Sequence, residues 1–181
     1  MDKKVDLLNM EQTNVHEINK NIPNMEVFLE KAANIVALCS KNDSISVFRF
    51  DISHFKQVND DYGFDVGDNV IVACFQMIES NVRRYLSNVA IGRAHGDEFV
   101  VIAKTGKETI IQTAQSIIED MNNYDFSSIG CPRQVGCYIG GLVGHRINIS
   151  DIRKIIEDSI ESLNQSRKKG PNSITIDSYP L

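Results

Sequence analysis

Two apolar runs separated by a very short polar break constrain the fold of this chain more than any other feature. The runs are VAIGRA and EFVVIA, and each has the composition of a buried β-strand. The break and the start of the second run consist of His95, Gly96, Asp97 and Glu98. A glycine turn this short predicts an antiparallel hairpin. Two acids at the mouth of a strand that should be buried indicate either a solvated turn or a metal site.

The remaining segments alternate between helical and strand-like patterns. Apolar residues recur at helical spacing in residues 25–41, 65–86, 108–121 and 150–169, and residues 54–64 predict a short helix or turn. Strand-like runs occupy residues 44–50, 133–144 and 173–176. Asn24 and Ser150 suit helix N-caps, and Gly170 suits a left-handed C-cap. Paired strands mixed with helices predict an α+β fold in which helices cover a sheet.

Charge and hydropathy exclude several classes of function. The net charge of -5 and the pI near 5.4 argue against a nucleic-acid-binding protein and against one held on an anionic membrane. No apolar run reaches the roughly 20 residues of a membrane span, and no signal-peptide core follows the charged start. The four cysteines lack metal-binding spacing, which is typical of reduced thiols in the cytoplasm. We expect a cytoplasmic protein with no membrane or nucleic-acid partner.

The length suits one domain with a short extension. Residues 1–20 are polar and sparsely patterned, so we predict a leader or connector there and a single domain over residues 21–181. The apolar pattern of residues 1–20 is too sparse to predict a coiled coil.

Asp51 ends one predicted strand, and Asp97 and Glu98 begin another. If those strands are neighbours, three carboxylates converge at one edge of the sheet. Carboxylate and carbonyl oxygens, together with substrate phosphates, are the ligands that Mg²⁺ prefers. Acids are also common in solvated turns at the ends of strands, so the spacing alone leaves both interpretations open.

Asn59 and Asp68 form a second candidate pair, nine residues apart. An amide and a carboxylate can together bind the edge of a guanine base. Asp68 is equally suited to the first turn of the helix it precedes, and Asn59 to holding a turn. Arg167 lies in the last turn of the final predicted helix, where it complements the helix dipole and where a phosphate contact is the alternative.

Three segments together resemble a known family. The segments DISHFKQVNDDYGFDVGD, RAHGDEF and SLNQSRKKGPN are similar to the DxDxFKxxNDxxGHxxGD, RxGGDEF and ALYxAKxxGRN motifs of GGDEF-domain diguanylate cyclases. The resemblance covers roughly residues 18–177. It implies a palm-like domain with a central, mostly antiparallel sheet of about five strands covered by helices, with the signature on a hairpin. It also implies bacterial signal transduction by condensation of two GTP into cyclic di-GMP and two pyrophosphates.

The resemblance assigns roles by position in the motifs. It implies Mg²⁺ or Mn²⁺ held by Asp51, the carbonyl of Ile52, Asp97 and Glu98. It implies catalytic roles for Glu98, Asp97 and Lys56, and guanine binding by Asn59 and Asp68. It further implies that Phe55, His95 and Gly96 belong to the substrate site and that Arg167 contacts phosphate. Each subunit would hold one GTP, which implies a transient homodimer, and a sensory or regulatory domain could act in trans or in a longer parent chain.

The chain departs from the family pattern at several positions. Ser53 stands where the DxD element has its second acid, and Phe64 stands where GHxxGD has its His. His95 replaces the first Gly of the signature. Pro171 replaces the Arg of GRN, and Tyr138 replaces the Ser of the SIG strand. The family's inhibitory RxxD motif would occupy residues 86–89, which are LSNV, so we predict no product inhibition at that site.

The departures leave other functions open. A degenerate GGDEF domain could bind GTP or a protein without catalysis, and GTP binding without pyrophosphate release would identify it. The second alternative is a related palm-type nucleotide cyclase or polymerase that forms another product. Comparing the turnover of ATP and GTP would distinguish it from a diguanylate cyclase. A purely structural interaction domain is the third alternative, but it does not explain why acids stand at the strand ends.

Overall fold

The computed structural model describes residues 15–179. Residues 15–21 are helical and are called α1. The other helices are α2 (Met25–Ala37), α3 (Phe55–Tyr62), α4 (Phe64–Tyr85), α5 (Lys107–Asn123) and α6 (Ile152–Lys169). The strands are β1 (Ser44–Ile52), β2 (Val89–His95), β3 (Glu98–Lys104), β4 (Cys137–His145) and β5 (Ser173–Ser178). Most of the predicted leader lies outside the described residues, so its nature stays a prediction.

The five strands form one sheet in the order β2-β3-β1-β4-β5. All neighbouring strands are antiparallel except β4 and β5, which are parallel and joined through α6. The α+β fold with a mostly antiparallel sheet of five strands is therefore confirmed. The central position of β1 puts the end of that strand beside the start of β3.

Helices cover both faces of the sheet, and each face has its own core. One core joins the sheet to α4 and α5 and includes Phe48, Phe50 and Phe99. The other joins it to α2 and α6 and includes Val47, Val100 and Ile155. Because successive side chains of a strand point to opposite faces, the odd-numbered residues of β1 face α2 and α6. Asp51 therefore lies on the α6 face.

Two glycines of β4 leave room for close backbone contacts, Gly140 with α6 and Gly141 with β1. A Cβ atom at Gly140 would lie 2.0 Å from the backbone nitrogen of Leu163 in α6. A Cβ at Gly141 would lie 2.5 Å from the carbonyl oxygen of Val47 in β1. The glycine-interrupted pattern of this strand thus records a close helix–sheet approach, which fixes the position of α6.

The helix ends follow the predicted caps only in part. Asn24 caps α2, since its Oδ1 accepts a hydrogen bond from the backbone nitrogen of Val27 at 3.0 Å. The prediction that Ser150 caps the last helix is wrong. The chain enters α6 through a short 3₁₀ turn, Ile149–Asp151, in which the backbone nitrogen of Asn148 donates to the Asp151 carboxylate at 2.8 Å. Gly170 ends α6 with the predicted positive φ, +104°, but with extended ψ.

Candidate active site

The hairpin of β2 and β3 turns through Gly96 and Asp97. Gly96 has a φ of +52°, in the left-handed region that favours glycine. His95 instead ends β2 as a strand residue, and the register shifts between it and Arg93. A side chain at position 95 is therefore compatible with the backbone of the turn.

Arg93 fixes the position of this turn. Its Nε donates to the carbonyl oxygen of Gly96 at 2.6 Å, and its Nη1 donates to Oδ1 of Asn19 in α1 at 2.6 Å. The backbone nitrogen of Arg93 also donates to the carbonyl of Pro23 at 2.7 Å. These bonds tie the hairpin to the segment before α2.

The hairpin brings Asp97 and Glu98 beside Asp51, and we call these three residues the acidic cluster. Asp51 and Glu98 are direct partners in the antiparallel register of β1 and β3. The backbone nitrogen of Ile52 donates to the carbonyl oxygen of Asp97 at 3.4 Å, which places the turn against the end of β1. Burial, and next the charge of Asp51, raise the pKa of Asp97 above its ordinary value. The three acids thus share one end of the sheet.

Arg167 reaches the acidic cluster from the last turn of α6. Its Nε donates to Oδ2 of Asp51 at 3.0 Å, and its Nη2 lies 3.5 Å from Oε2 of Glu98. The hydrogen bond to Asp51 raises the pKa of the Arg167 guanidinium. His95 Nε2 lies 3.8 Å from the same Oε2 atom of Glu98. We call Oε2 the outer oxygen of Glu98 and Oε1 the inner one. The outer oxygen therefore faces two side chains that are exposed or partly exposed, those of His95 and Arg167.

Arg49 binds the inner oxygen of Glu98, and the sequence did not single it out. It is buried in β1, and its Nη1 donates to Oε1 of Glu98. Its other nitrogens donate to the Ile156 carbonyl and the Ser159 hydroxyl of α6, at 3.1–3.2 Å. The available signal was one arginine in the apolar run SISVFRF. That signal also fits a strand with one face in water.

Asn59 lies within α3, and its side chain faces Gly67 at the junction of α3 and α4. A Cβ at Gly67 would lie 1.9 Å from Asn59 Oδ1 and 3.3 Å from the ring of Phe55, so only glycine leaves room for both side chains. Among the described residues, the Asn59 Oδ1 atom is buried and has no hydrogen-bond partner. An acceptor in this state suits a ligand that carries N–H groups.

Asp68 lines a cavity of about 220 Å³ beside this junction, together with Asp65, Asn69, Val15 and His16. No motif of the sequence singles out His16, and the structure puts it at this cavity. A polar cavity with an acid at its wall is compatible with a base edge that donates hydrogen bonds.

The remaining candidates differ in how they are placed. Lys56 is exposed in the first turn of α3. Ser53 is buried, and its hydroxyl accepts a hydrogen bond from the Gly136 nitrogen at 3.2 Å. Ser53 therefore ties β1 to the start of β4 and does not extend the acidic cluster. Phe64 is 80% exposed at the start of α4.

The donors of the acidic cluster suit Mg²⁺ or Mn²⁺ in chemistry, because carboxylate oxygens are hard ligands. As the side chains stand, no three His, Cys, Asp or Glu residues of the described part of the chain form a ready metal cage. Arg167 lies across Asp51 and Glu98 instead. A divalent ion would fit this donor set once Arg167 releases Asp51.

Comparison with known proteins adds independent findings. The family model described as diguanylate cyclase, GGDEF domain, matches residues 20–173. Diguanylate cyclase A of Treponema denticola is 24% identical over 151 residues, which are 83% of this chain and 40% of that protein. Diguanylate cyclase DgcS of Shewanella oneidensis is 26% identical over 151 residues, which are 82% of this chain and 48% of that protein. The chain thus spans less than half the length of these relatives.

Solved structures share the fold. An active GGEEF domain of a diguanylate cyclase from Vibrio cholerae superposes with a TM-score of 0.74 at 22% identity, covering 86% of this chain and 97% of that one. The GGDEF domain of DgcB from Caulobacter crescentus, solved in complex with c-di-GMP, gives 0.71 at 22% identity and covers 86% and 91%. Within residues 15–179, no helix has the length and apolarity needed to span a membrane.

Proposed function

Because the chain belongs to the GGDEF family of diguanylate cyclase domains, we propose that it condenses two GTP into cyclic di-GMP and two pyrophosphates. The observation that carries this proposal is the pairing of Asp51 with Glu98 across neighbouring strands, with Asp97 in the adjoining turn. The departures from the family motif spare all three of these acids.

In this proposal the acidic cluster and the carbonyl of Ile52 hold Mg²⁺ or Mn²⁺. Bound ions of this kind activate an attacking hydroxyl and stabilise the leaving pyrophosphate. Glu98 and Asp97 orient the phosphates through the metal site. Arg167 exchanges its bond to Asp51 for one to a phosphate oxygen, since a guanidinium binds either anion well. Lys56, on the exposed turn of α3, supplies a second mobile cation.

The base of GTP would be held on the other side of the site. Asn59 has a buried acceptor free for a guanine N–H group, and Asp68 faces the neighbouring cavity. Phe55 packs over Gly67 beneath them, and Gly96 allows the triphosphate to approach the backbone of the turn. His95 stands at the mouth of the site beside Glu98.

Each domain would bind one GTP, so the reaction needs two copies facing each other in a transient homodimer. The domain would span residues 21–181, act in the cytoplasm where GTP is available, and take its signal from a partner or from a domain in a longer parent chain. Product inhibition through residues 86–89 is not expected, because the segment LSNV contains neither arginine nor aspartate and the nearby Arg83 is paired within its own helix. Arg83 donates to Glu79 at 2.7 Å.

A second candidate function is a GGDEF domain that binds GTP or a protein without turning GTP over. Ser53 is engaged with Gly136, and Pro171 removes an arginine that would contact phosphate. Arg167 and Arg49 already satisfy two of the three acids. These observations favour binding without chemistry if Arg167 does not leave Asp51.

Incubation of the purified chain with GTP and Mg²⁺ or Mn²⁺ tests the proposal, with nucleotides resolved by chromatography and mass. We expect cyclic di-GMP from the parent protein and at least about a hundredfold less from the Asp97→Asn and Glu98→Gln variants. GTP binding with no product from the parent would contradict cyclase activity and select the second function. Product formed equally by the variants would contradict the metal assignment.

A further inference from the structure

Arg49 is a buried cation directly behind the acidic cluster. Its side chain is 7% exposed, and it lies in a strand whose neighbours on the same face, Ile45 and Val47, are fully buried and apolar. An arginine in such surroundings must be paired, because an isolated charge in an apolar interior is very costly. Its partner is Glu98, which is buried to the same degree.

The guanidinium of Arg49 is held rigidly on its other side. Both Nε and Nη2 donate to the Ile156 carbonyl, and Nε also donates to the Ser159 hydroxyl. Ser159 Oγ donates in turn to the Ile156 carbonyl at 2.6 Å. Arg49 is therefore fixed by α6 and cannot follow a ligand that enters from solvent, unlike the partly exposed Arg167.

The two oxygens of Glu98 consequently differ. Oε1 is bound to the fixed Arg49, whereas Oε2 faces Arg167 at 3.5 Å and His95 at 3.8 Å. Both groups near Oε2 are able to move, because the side chains are 37% and 78% exposed. Only Oε2 is available to an incoming ion.

We propose that Arg49 is a positioning residue that holds Glu98 by its inner oxygen and weakens divalent-ion binding at the acidic cluster through its fixed charge. The inference rests on the proposed function only in taking the acidic cluster as the metal site. Charges act over longer distances inside a protein than in water, so a fixed cation this close opposes a divalent ion. The site then holds its metal firmly only when nucleotide phosphates add negative charge.

The test measures Mn²⁺ affinity of the nucleotide-free chain from the electron paramagnetic resonance signal of free Mn²⁺. Arg49→Gln removes the charge and keeps a hydrogen-bond donor, and Arg49→Lys is the matched control that keeps the charge. We expect Arg49→Gln to bind Mn²⁺ at least about tenfold more tightly than the parent and Arg49→Lys to stay within about threefold. Equal or weaker binding by Arg49→Gln would overturn the proposal, and so would equally tighter binding by both variants.

Arg49→Gln leaves the buried carboxylate of Glu98 without its cation, and this variant is therefore the one at risk of not folding. A second comparison tests the proposal without that variant. The double variant Arg49→Gln/Glu98→Gln removes both charges, and it is compared with Glu98→Gln alone. The proposal requires at least about tenfold tighter Mn²⁺ binding by the double variant, from Asp51 and Asp97. No gain would overturn it.

Adding Asp97→Asn to the tighter-binding variant separates the two proposals. Loss of the gained affinity confirms that the ion sits at the acidic cluster. Retention of that affinity places the ion elsewhere and overturns this inference. Cyclase activity of the parent protein, measured separately, decides the proposed function whichever result is obtained.

Discussion

Gly96 is the residue of the signature turn whose backbone is hardest for another amino acid to adopt. Its φ of +52° lies in the left-handed region, and, its two chain neighbours aside, no heavy atom of residues 15–179 lies within 4 Å of the position a Cβ would take. A substitution there is opposed by backbone conformation and not by a steric clash. The neighbouring His95 carries no such constraint, which explains why the chain keeps the second glycine of the family signature and not the first.

Gly96→Ala is expected to lower the free energy of unfolding by about 1–2 kcal/mol, because a Cβ is disfavoured in left-handed backbone. Gly96→Asn is the matched control and should lower it by less, since Asn tolerates this conformation better. Urea denaturation followed by circular dichroism gives both values. Equal losses for the two variants would mean that something other than the backbone conformation decides the cost.

Single residues also mark where sequence reasoning succeeded and where it stopped. The sequence allowed the three acids to be grouped, because Asp51 ends one strand while Asp97 and Glu98 stand at the start of another. Neighbouring antiparallel strands bring such positions to the same edge of a sheet. Arg49 could not be grouped with them, because alternation along a strand says which residues share a face but not what covers that face. The covering helix, α6, begins about a hundred residues later in the chain.

At the scale of elements, α6 connects most of the site. It carries Arg167 to Asp51, and its Ile156 carbonyl and Ser159 hydroxyl hold Arg49. Its distance from the sheet is set at Gly140. The helical period predicted this helix and its apolar stripe, but the closeness of its approach depends on tertiary packing that no local pattern encodes.

Gly140→Ala should therefore move α6 away from β4. We expect a loss of about 2–3 kcal/mol in the free energy of unfolding, because the added methyl group meets helix backbone that cannot rotate aside. Gly106→Ala is the control, since in the described part of the chain no heavy atom beyond its two neighbours lies within 4 Å of its Cβ position. The measurement is chemical denaturation of both variants. A Gly140→Ala protein as stable as the control would show that α6 adjusts without cost.

Asp43 and Lys104 join the loop before β1 to the end of β3. Lys104 Nζ lies 2.8 Å from Asp43 Oδ2, and the hydrogen bond from Lys104 lowers the pKa of Asp43 from 3.8 to about 2. A carboxylate with a lowered folded-state pKa stabilises the fold above its unfolded pKa, and this contribution is lost as the pH falls towards 2.

Asp43→Asn should therefore lower the thermal unfolding midpoint by at most a few degrees at pH 7, because exposed ion pairs contribute little. The difference from the parent protein should shrink as the pH falls from 4 to 2 and vanish below it. Thermal scans at several pH values check this. A difference that stays constant across that interval would contradict the ion pair as its origin.

For the whole molecule, the proposed reaction requires two copies, since a single domain offers one acidic cluster to join two GTP molecules. The specific activity, measured at saturating GTP, should therefore rise with protein concentration through the dimer dissociation constant and level off well above it. An activity per molecule that stays constant well below that constant would contradict catalysis by a dimer. Analytical ultracentrifugation of the same samples supplies the constant.

The route of the chain through the sheet also sets the order in which the site is made during synthesis. Asp51, Asp97 and Glu98 all precede Lys104, whereas α6 begins only at Ile152. A nascent chain therefore carries all three acids before the ribosome has added Arg167. Arg49 is made two residues before Asp51, so it leaves the ribosome with the first acid. Of the two arginines that bind the acidic cluster, one is therefore made before all three acids and the other after them.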